Sequence, residues 1–205
     1  MRKGLPILLA FLLLVLSVVA AAFAMADIYR GEAVTLMGEW DGFADEEGPA
    51  TWAWEEVHRY LWLANRLAPF DAQIQSDLGQ LYERRVREVP APDITDLDRA
   101  LDYYRQGLAL RPAWPYAWAD VAALKITQQR IDAEFALAMQ SALTLGPWQS
   151  SVQASIASGG LIVWDKLPAS LQTSVEHAIA RGLLNNSRLM MFVAKRFNLF
   201  ESDES

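Results

Sequence analysis

The residue types that carry most enzyme and metal chemistry are scarce in this 205-residue chain. It contains no cysteine, which excludes disulfide frameworks, thiolate zinc sites and cysteine nucleophiles. Glu55 and His58 have the i, i+3 spacing of a diiron ligand pair, but Glu176 and His177 are adjacent and do not supply the second pair that such a site needs. We therefore interpret both histidines as residues on helix surfaces, and we expect no metal.

Motifs for nucleophilic, phosphate or dinucleotide chemistry are also missing from the sequence. The run Ser158-Gly159-Gly160 lacks the Lys-Ser/Thr of a phosphate-binding loop and follows no strand. It is more typical of a helix end, where glycine tolerates the left-handed conformation. No Gly-x-Ser-x-Gly motif occurs. The sequence predicts a protein that is not an enzyme, with no catalytic residue and no cofactor.

The charge balance bears on possible partners. Lys and Arg number 18 against 25 Asp and Glu, a formal net charge of -7, which argues against nucleic acid because phosphate binding needs a basic face. Apolar residues make up 53% of the chain and charged residues 21%, as in a folded protein rather than a disordered one. The length fits one domain.

The N-terminal segment has the properties of a membrane anchor. Residues 5–26 form an uncharged run, and about 20 apolar residues suffice for a helix to cross the hydrocarbon core. Arg2 and Lys3 precede the run, so the positive-inside rule keeps the N-terminus in the cytoplasm and exports the rest. We expect a single-pass protein of a bacterial inner membrane with its domain in the periplasm.

A cleaved signal peptide is the alternative for residues 1–26. Both Ala22-Phe23-Ala24 and Ala24-Met25-Ala26 fit a small-x-small cleavage site. The apolar run exceeds the roughly 7–15 residues of a usual signal core, which favours a retained anchor.

Residues 27–50 are rich in Gly, Asp and Glu and predict an irregular stalk. Residues 51–200 have a helical pattern, and residues 201–205 form an acidic tail.

Three prolines divide the helical region after similar lead-ins, NRLAPFD, LALRPAW and LTLGPWQ. Pro69, Pro112 and Pro147 are 43 and 35 residues apart. Leu78-Gly79-x2-Tyr82 and Ala100-x3-Tyr104 lie between the first two. These motifs resemble the tetratricopeptide (TPR) repeat, whose period is about 34 residues. The resemblance implies an all-α fold in which antiparallel helix pairs stack into an α-solenoid after the transmembrane helix. Further helices are expected at 148–161, 169–185 and 187–200.

The TPR resemblance also indicates a partner-binding groove. If Pro115 begins a first helix of the repeat, the groove positions are Tyr116, Ala119, Ala123 and Ile126, which are largely apolar. Such a groove is either filled by the terminal segment of the protein itself or reserved for a partner helix. The predicted partner-binding residues are these four together with two neighbours, Arg111 and Trp114.

The chain contains eight tryptophans: Trp40, Trp52, Trp54, Trp62, Trp114, Trp118, Trp148 and Trp164. We expect most of them to pack inside the fold, with Trp118 at a core position of the repeat and with Trp62 and Trp164 in apolar settings. Trp40 has no such explanation and is assigned to the membrane interface or to a partner. A carbohydrate-binding module is the alternative, because aromatic faces stack on sugars. It would use Trp114, Tyr116, Trp148 and Trp164.

Four segments of the chain resemble the VpsP family of exopolysaccharide biosynthesis proteins. They are residues 111–119 (RPAWPYAWA), Asp132-x-Glu134-Phe135, residues 145–148 (LGPW) and residues 160–167. The resemblance covers most of residues 55–185 and implies a pathway rather than a reaction. It implies a non-catalytic, membrane-anchored periplasmic scaffold that contacts a polysaccharide synthase, polymerase or export component. An adaptor of a pilus or secretion system is the other possibility, since repeats of this kind serve many assemblies.

Overall fold

The computed structural model describes residues 4–40, 51–88 and 93–197, and within these ranges the chain is helical and contains no strand. The predicted all-α class is therefore confirmed. The helices are α1 Gly4–Trp40, α2 Thr51–Leu67, α3 Ala72–Glu88, α4 Thr95–Leu110, α5 Pro115–Thr127, α6 Ala133–Leu145, α7 Ser150–Ile162, α8 Ala169–Asn185 and α9 Ser187–Arg196, with a 3₁₀ turn at Trp164–Lys166. The helices form two compact units, Met1–Tyr103 and Tyr104–Ser205.

Helix α1 is longer than the sequence predicts, and the expectation of an irregular stalk is wrong for residues 27–40. Ala26, Ala33 and Met37 are buried and follow one another at helical spacing, so they form a stripe that packs against α2. A Cβ atom on Gly31 or Gly38 would meet nothing within 4 Å, so the glycines that suggested irregular structure lie on open faces of the helix. The rest of the predicted stalk, residues 41–50, lies outside the described residues.

The first unit is built around an apolar face of α2. Trp54, Val57, Leu61 and Ala64 are buried at spacings of three and four residues, the period of an amphipathic helix. Buried apolar residues of α3 and of the N-terminal half of α4 complete this core: Ile74, Leu78, Leu81, Leu97, Ala100 and Leu101. The apolar positions thus define both the helices and the faces through which they pack.

The second unit has closely packed helices, and its glycines explain part of the packing. Gly159 and Gly160 lie inside α7, so the predicted helix end at this site is wrong. A Cβ on Gly160 would collide with the Val175 side chain of α8, and one on Gly159 would lie 2.8 Å from Cδ1 of Ile126 in α5. Glycine is therefore used here because it allows two other helices to approach α7 closely.

The helices expected after residue 148 are observed with small shifts in their ends. The expected helix at 169–185 coincides with α8, and the one at 148–161 corresponds to α7. The last helix begins at Ser187 as expected and ends at Arg196. The tail at 201–205 lies outside the described residues.

Candidate interaction surface

The three prolines singled out in the sequence form the same turn three times. In each case the residue before the proline donates its backbone N–H to the carbonyl oxygen four residues earlier, at 2.9 Å. These donor–acceptor pairs are Ala68–Ala64, Arg111–Gly107 and Gly146–Ala142. The second residue after the proline then donates its N–H back to the residue before the proline. The pairs are Asp71–Ala68, Trp114–Arg111 and Gln149–Gly146, at 3.1 to 3.2 Å.

A side chain six residues after each proline completes the turn by donating to the proline carbonyl oxygen. Gln75 Nε2 lies 3.2 Å from the Pro69 oxygen, and Trp118 Nε1 lies 2.8 Å from the Pro112 oxygen. The side-chain amide of Gln153 donates to Pro147 in the same way. Gln75 and Gln153 are buried, whereas Trp118, which was expected in the core, is only half-buried. The internal repetition therefore extends to individual hydrogen bonds.

Each turn carries an aromatic residue one or two positions after its proline. The side chains of Phe70 and Trp148 are 82% and 63% exposed. Trp114 is half-buried, with the Arg111 guanidinium 5.0 Å from the centre of its ring. Large exposed aromatic side chains held by a rigid turn are typical of surfaces that contact another molecule.

The apolar groove predicted on α5 is covered by a later helix of the same chain. Ala119 is buried and Ala123 and Ile126 are half-buried. The narrow space beside them is lined by Ile156, Gly159 and other residues of α7 and leaves no room for a water molecule. The structure therefore brings the three α5 residues together but seats α7 on them.

The other three predicted partner-binding residues lie at an edge of the second unit. Here the Pro112 and Pro147 turns lie side by side, because the Tyr116 hydroxyl donates to Gln149 Oε1 at 2.9 Å. A Cβ on Gly146 would lie 2.7 Å from the Pro115 side chain, which shows how closely the turns approach. We call this surface the aromatic ridge; it consists of Arg111, Trp114, Tyr116 and Trp148. Trp148 was predicted as a binding residue only in the carbohydrate alternative.

The remaining tryptophans divide between core and surface. Trp54 is buried, Trp40 and Trp164 are half-buried, and Trp52 is 68% exposed, so the expectation that most of the eight tryptophans pack inside the fold is wrong. Trp62 is 45% exposed, so its expected apolar setting is wrong. Trp40 is 14 residues beyond Ala26, about 21 Å along α1 at 1.5 Å per residue, too far for the membrane interface expected at the end of the apolar run.

A charge network that the sequence analysis missed joins three helices of the second unit. The Lys125 side chain is 1% exposed, and its Nζ lies 2.6 Å from Asp132 Oδ2 and 2.7 Å from Glu134 Oε2. Arg105 of α4 donates two hydrogen bonds of 2.8 Å to the Glu134 carboxylate. These donors lower the pKa of Glu134 to about 2, the Arg105 bonds being the largest cause. The sequence feature that could have indicated this network is Lys125, the single lysine within the largely apolar α5.

His58 is not the solvated surface residue that its sequence context suggested. Its ring stacks on Trp54 with centroids 5.0 Å apart, and its Nε2 lies 3.1 Å from the Tyr82 hydroxyl. Burial lowers the pKa of His58, and the nearby Arg85 cation lowers it further. Among the described residues no group of three His, Cys, Asp or Glu side chains is placed to hold a metal ion. His177 is exposed, as expected.

The described part of α1 from Pro6 onward is long and apolar enough to cross a membrane, and its most apolar stretch has a mean hydropathy of 3.0 with none of it buried.

Comparison with known proteins adds no family: no family model and no curated protein matches this chain. The resemblances to the TPR and to the VpsP family therefore stay predictions. The repeated proline turns are observed directly in this structure.

Proposed function

We propose that this protein is a non-catalytic, membrane-anchored scaffold whose helical domain binds a protein partner of an envelope assembly through the aromatic ridge. The observation that carries the proposal is the ridge itself. Two consecutive repeat turns present aromatic side chains and Arg111 on one edge, and Tyr116 ties the turns together through Gln149. Aromatic and arginine side chains are the residue types that most often dominate binding energy at protein interfaces.

The proposed architecture is a TPR-like α-solenoid of antiparallel helix pairs over residues 51–200. The three equivalent turns support it, because the same hydrogen bonds recur where a second helix of one repeat leads into the first helix of the next. In a solenoid each repeat buries its apolar face against its neighbours. The packing of α7 on Ala119, Ala123 and Ile126 is of this kind, and it moves the proposed partner surface from the groove to the ridge.

The proposed location is a bacterial inner membrane, with residues 5–26 as a single retained span and the domain in the periplasm. Arg2 and Lys3 before the span support this orientation. Retention of the segment is supported by the continuity of α1. Both candidate cleavage sites, after Ala24 and after Ala26, lie inside this helix, and its later residues pack in the fold.

The proposed process is synthesis or export of an exopolysaccharide, with a synthase, polymerase or exporter as the partner. Its support is the resemblance of residues 111–119, 145–148 and 160–167 to the VpsP family. Two of these segments include residues of the aromatic ridge. An adaptor role in a pilus or secretion system would use the same surface and is distinguished by which partner binds.

Photocrosslinking in intact cells tests this proposal. A benzoylphenylalanine replaces Trp148 or Tyr116, both exposed on the ridge, and Gln140, exposed on α6, serves as the control. We expect both ridge positions, but not Gln140, to capture a membrane glycosyltransferase, polymerase or polysaccharide exporter. Capture of a pilus or secretion component would contradict the proposed role in exopolysaccharide synthesis or export and would indicate an adaptor of that other assembly. Equal labelling from all three positions would contradict the ridge as the partner surface.

A further inference from the structure

Two contacts between α1 and α3 define how these helices are aligned. Arg30 Nε lies 2.6 Å from Asp77 Oδ2, and Arg84 Nη1 donates to the Met37 carbonyl oxygen at 2.9 Å. From the first contact to the second, each helix advances by seven residues, or about 10.5 Å at 1.5 Å per residue. The two helices therefore run in the same direction, with residue n of α1 level with residue n+47 of α3.

This alignment places the start of α3 beside the end of the apolar segment. Ala72, five residues before Asp77, is level with about Met25, and the Pro69 turn is level with the residues just before it. On α1 these residues are exposed: Phe23 is 53% and Met25 41% accessible. If residues 5–26 span a membrane, the turn is at the depth where α1 leaves the hydrocarbon.

The turn holds Phe70 outward in a defined geometry. Gln75 donates to the Pro69 carbonyl oxygen at 3.2 Å and to Asn65 Oδ1 at 2.7 Å, so a buried amide holds the turn. Asp71 Oδ1 accepts the Gln73 N–H at 2.8 Å and caps α3. The Phe70 side chain nevertheless stays 82% exposed. A phenyl ring that a fixed backbone exposes to solvent makes little stabilising contact within the fold, and it can bind an apolar surface or phase.

The end of α2 that leads into this turn has the residue types of a membrane interface. Trp62 is 45% exposed, and the Arg66 guanidinium lies 4.9 Å from the centre of its ring. Tyr60 stacks on Tyr29 with centroids 6.2 Å apart, which sets this part of α2 beside α1 just beyond the apolar run. Tryptophan is enriched at the headgroup level, and arginine reaches from there into water.

We propose that the Pro69 turn is a second membrane contact, in which Phe70 inserts into the leaflet that α1 leaves and Trp62 lies at its headgroups. The partner is the lipid bilayer, and the inference rests on the proposed function only in taking α1 as a membrane span. The contact would fix the first unit against the membrane surface, because α1 and the turn are joined through the Arg30–Asp77 pair.

Depth-dependent fluorescence quenching tests this contact. The chain has no cysteine, so Phe70→Cys in the full-length protein takes a single bimane label without further changes. The labelled protein is reconstituted in phosphatidylcholine–phosphatidylglycerol vesicles that contain a lipid with a nitroxide near the headgroup. Ile94→Cys is the matched control: Ile94 is 70% exposed and precedes Asp96, which contacts Arg85 at 3.2 Å near the far end of α3.

We expect the Phe70 label to be quenched at least threefold more strongly than the Ile94 label and to be blue-shifted in vesicles relative to detergent. Equal quenching at the two sites would overturn the proposed contact. A third label at Leu14→Cys, within the apolar segment, reports on the span itself. If Leu14 is quenched by a mid-chain nitroxide and Phe70 is not, the anchor stands and this inference fails; if Leu14 is not quenched, the proposed anchor fails.

Discussion

The side-chain amide of Gln75 donates a hydrogen bond to the carbonyl oxygen of Pro69, six residues earlier, and Gln153 donates to Pro147 in the same way. A proline after the last helical turn ends the ladder, because it has no N–H to donate, and the chain must turn there with its carbonyl groups unpaired. The first turn of the next helix supplies the missing donor. The repeated turns are therefore held by polar contacts as well as by the backbone constraint of proline.

The buried amide of Gln153 should be important for stability. Gln153→Leu removes the donor to the Pro147 carbonyl oxygen in a site where Gln153 is fully buried. We expect the free energy of unfolding to fall by about 0.5–1.5 kcal/mol, the usual net contribution of one hydrogen bond, because Pro147 is only half-buried. Chemical denaturation in detergent measures the change. Gln140→Leu, on the exposed face of α6, is the control, and an equal effect of the two substitutions would argue against the contact.

The close packing of α7 can be tested at its glycines. Gly160→Ala places a methyl group against Val175 and should destabilise the fold by about 1–3 kcal/mol, despite the helix propensity of alanine. Gly31→Ala in α1 meets nothing within 4 Å and should stabilise its helix by up to about 1 kcal/mol. Thermal unfolding followed by circular dichroism compares the two variants. A Gly160→Ala protein as stable as the wild type would show that α7 and α8 are further apart.

His58 predicts a pH dependence on the acidic side of neutrality. Because burial lowers its pKa in the folded state below the ordinary value of 6.5, the unfolded chain binds the proton more readily. The stability contributed by neutral His58 is therefore complete above pH 6.5 and is lost as the pH falls below it. His58→Phe keeps the stacking on Trp54 but cannot titrate. Unfolding free energies from pH 7.5 to 5.5 should decline less steeply for this variant, and parallel profiles would contradict the assignment.

Glu134 predicts a second loss of stability, in more acidic solution. Its pKa is lowered from 4.5 to about 2 by Arg105 and Lys125, so its contribution is present above pH 4.5 and is lost as the pH falls towards 2. Glu134→Gln should be less stable than the wild type near neutrality, and the difference should shrink across that interval. Glu176→Gln, exposed on α8, is the control. A difference that does not change with pH would exclude an ionic role for Glu134.

The carbohydrate alternative makes an opposite prediction for the tryptophans. A sugar-binding site needs an open aromatic face, and in the ridge the Arg111 guanidinium lies over the Trp114 ring while Trp148 is exposed. As a protein-binding scaffold, the domain should show no quenching of tryptophan fluorescence by polysaccharide fragments at millimolar concentration. Quenching that Trp148→Ala abolishes would favour the carbohydrate-binding module instead.

Local features were predictable because their causes are local. The uncharged run at residues 5–26, the helix breaks at Pro69, Pro112 and Pro147, and the bounds of α8 follow from composition, from the missing proline N–H and from the helical period. The same local causes were sufficient to predict that the described residues are helical and that the N-terminal helix is apolar. The order of the groove positions on α5 was also readable, since positions on a helix face repeat at fixed intervals.

The tertiary structure decided what those faces contact, because contacts between distant segments are not encoded in any one window of sequence. Residues 27–40 were expected to be irregular from their Gly, Asp and Glu content, yet they are helical, with Ala33 and Met37 buried where α1 packs on α2. Ala119, Ala123 and Ile126 face α7 rather than an open groove, and the absence of a side chain at Gly159 lets that helix approach Ile126. The exposure of Phe70 beside the end of the apolar segment likewise depends on the Arg30–Asp77 contact, which joins residues 47 positions apart.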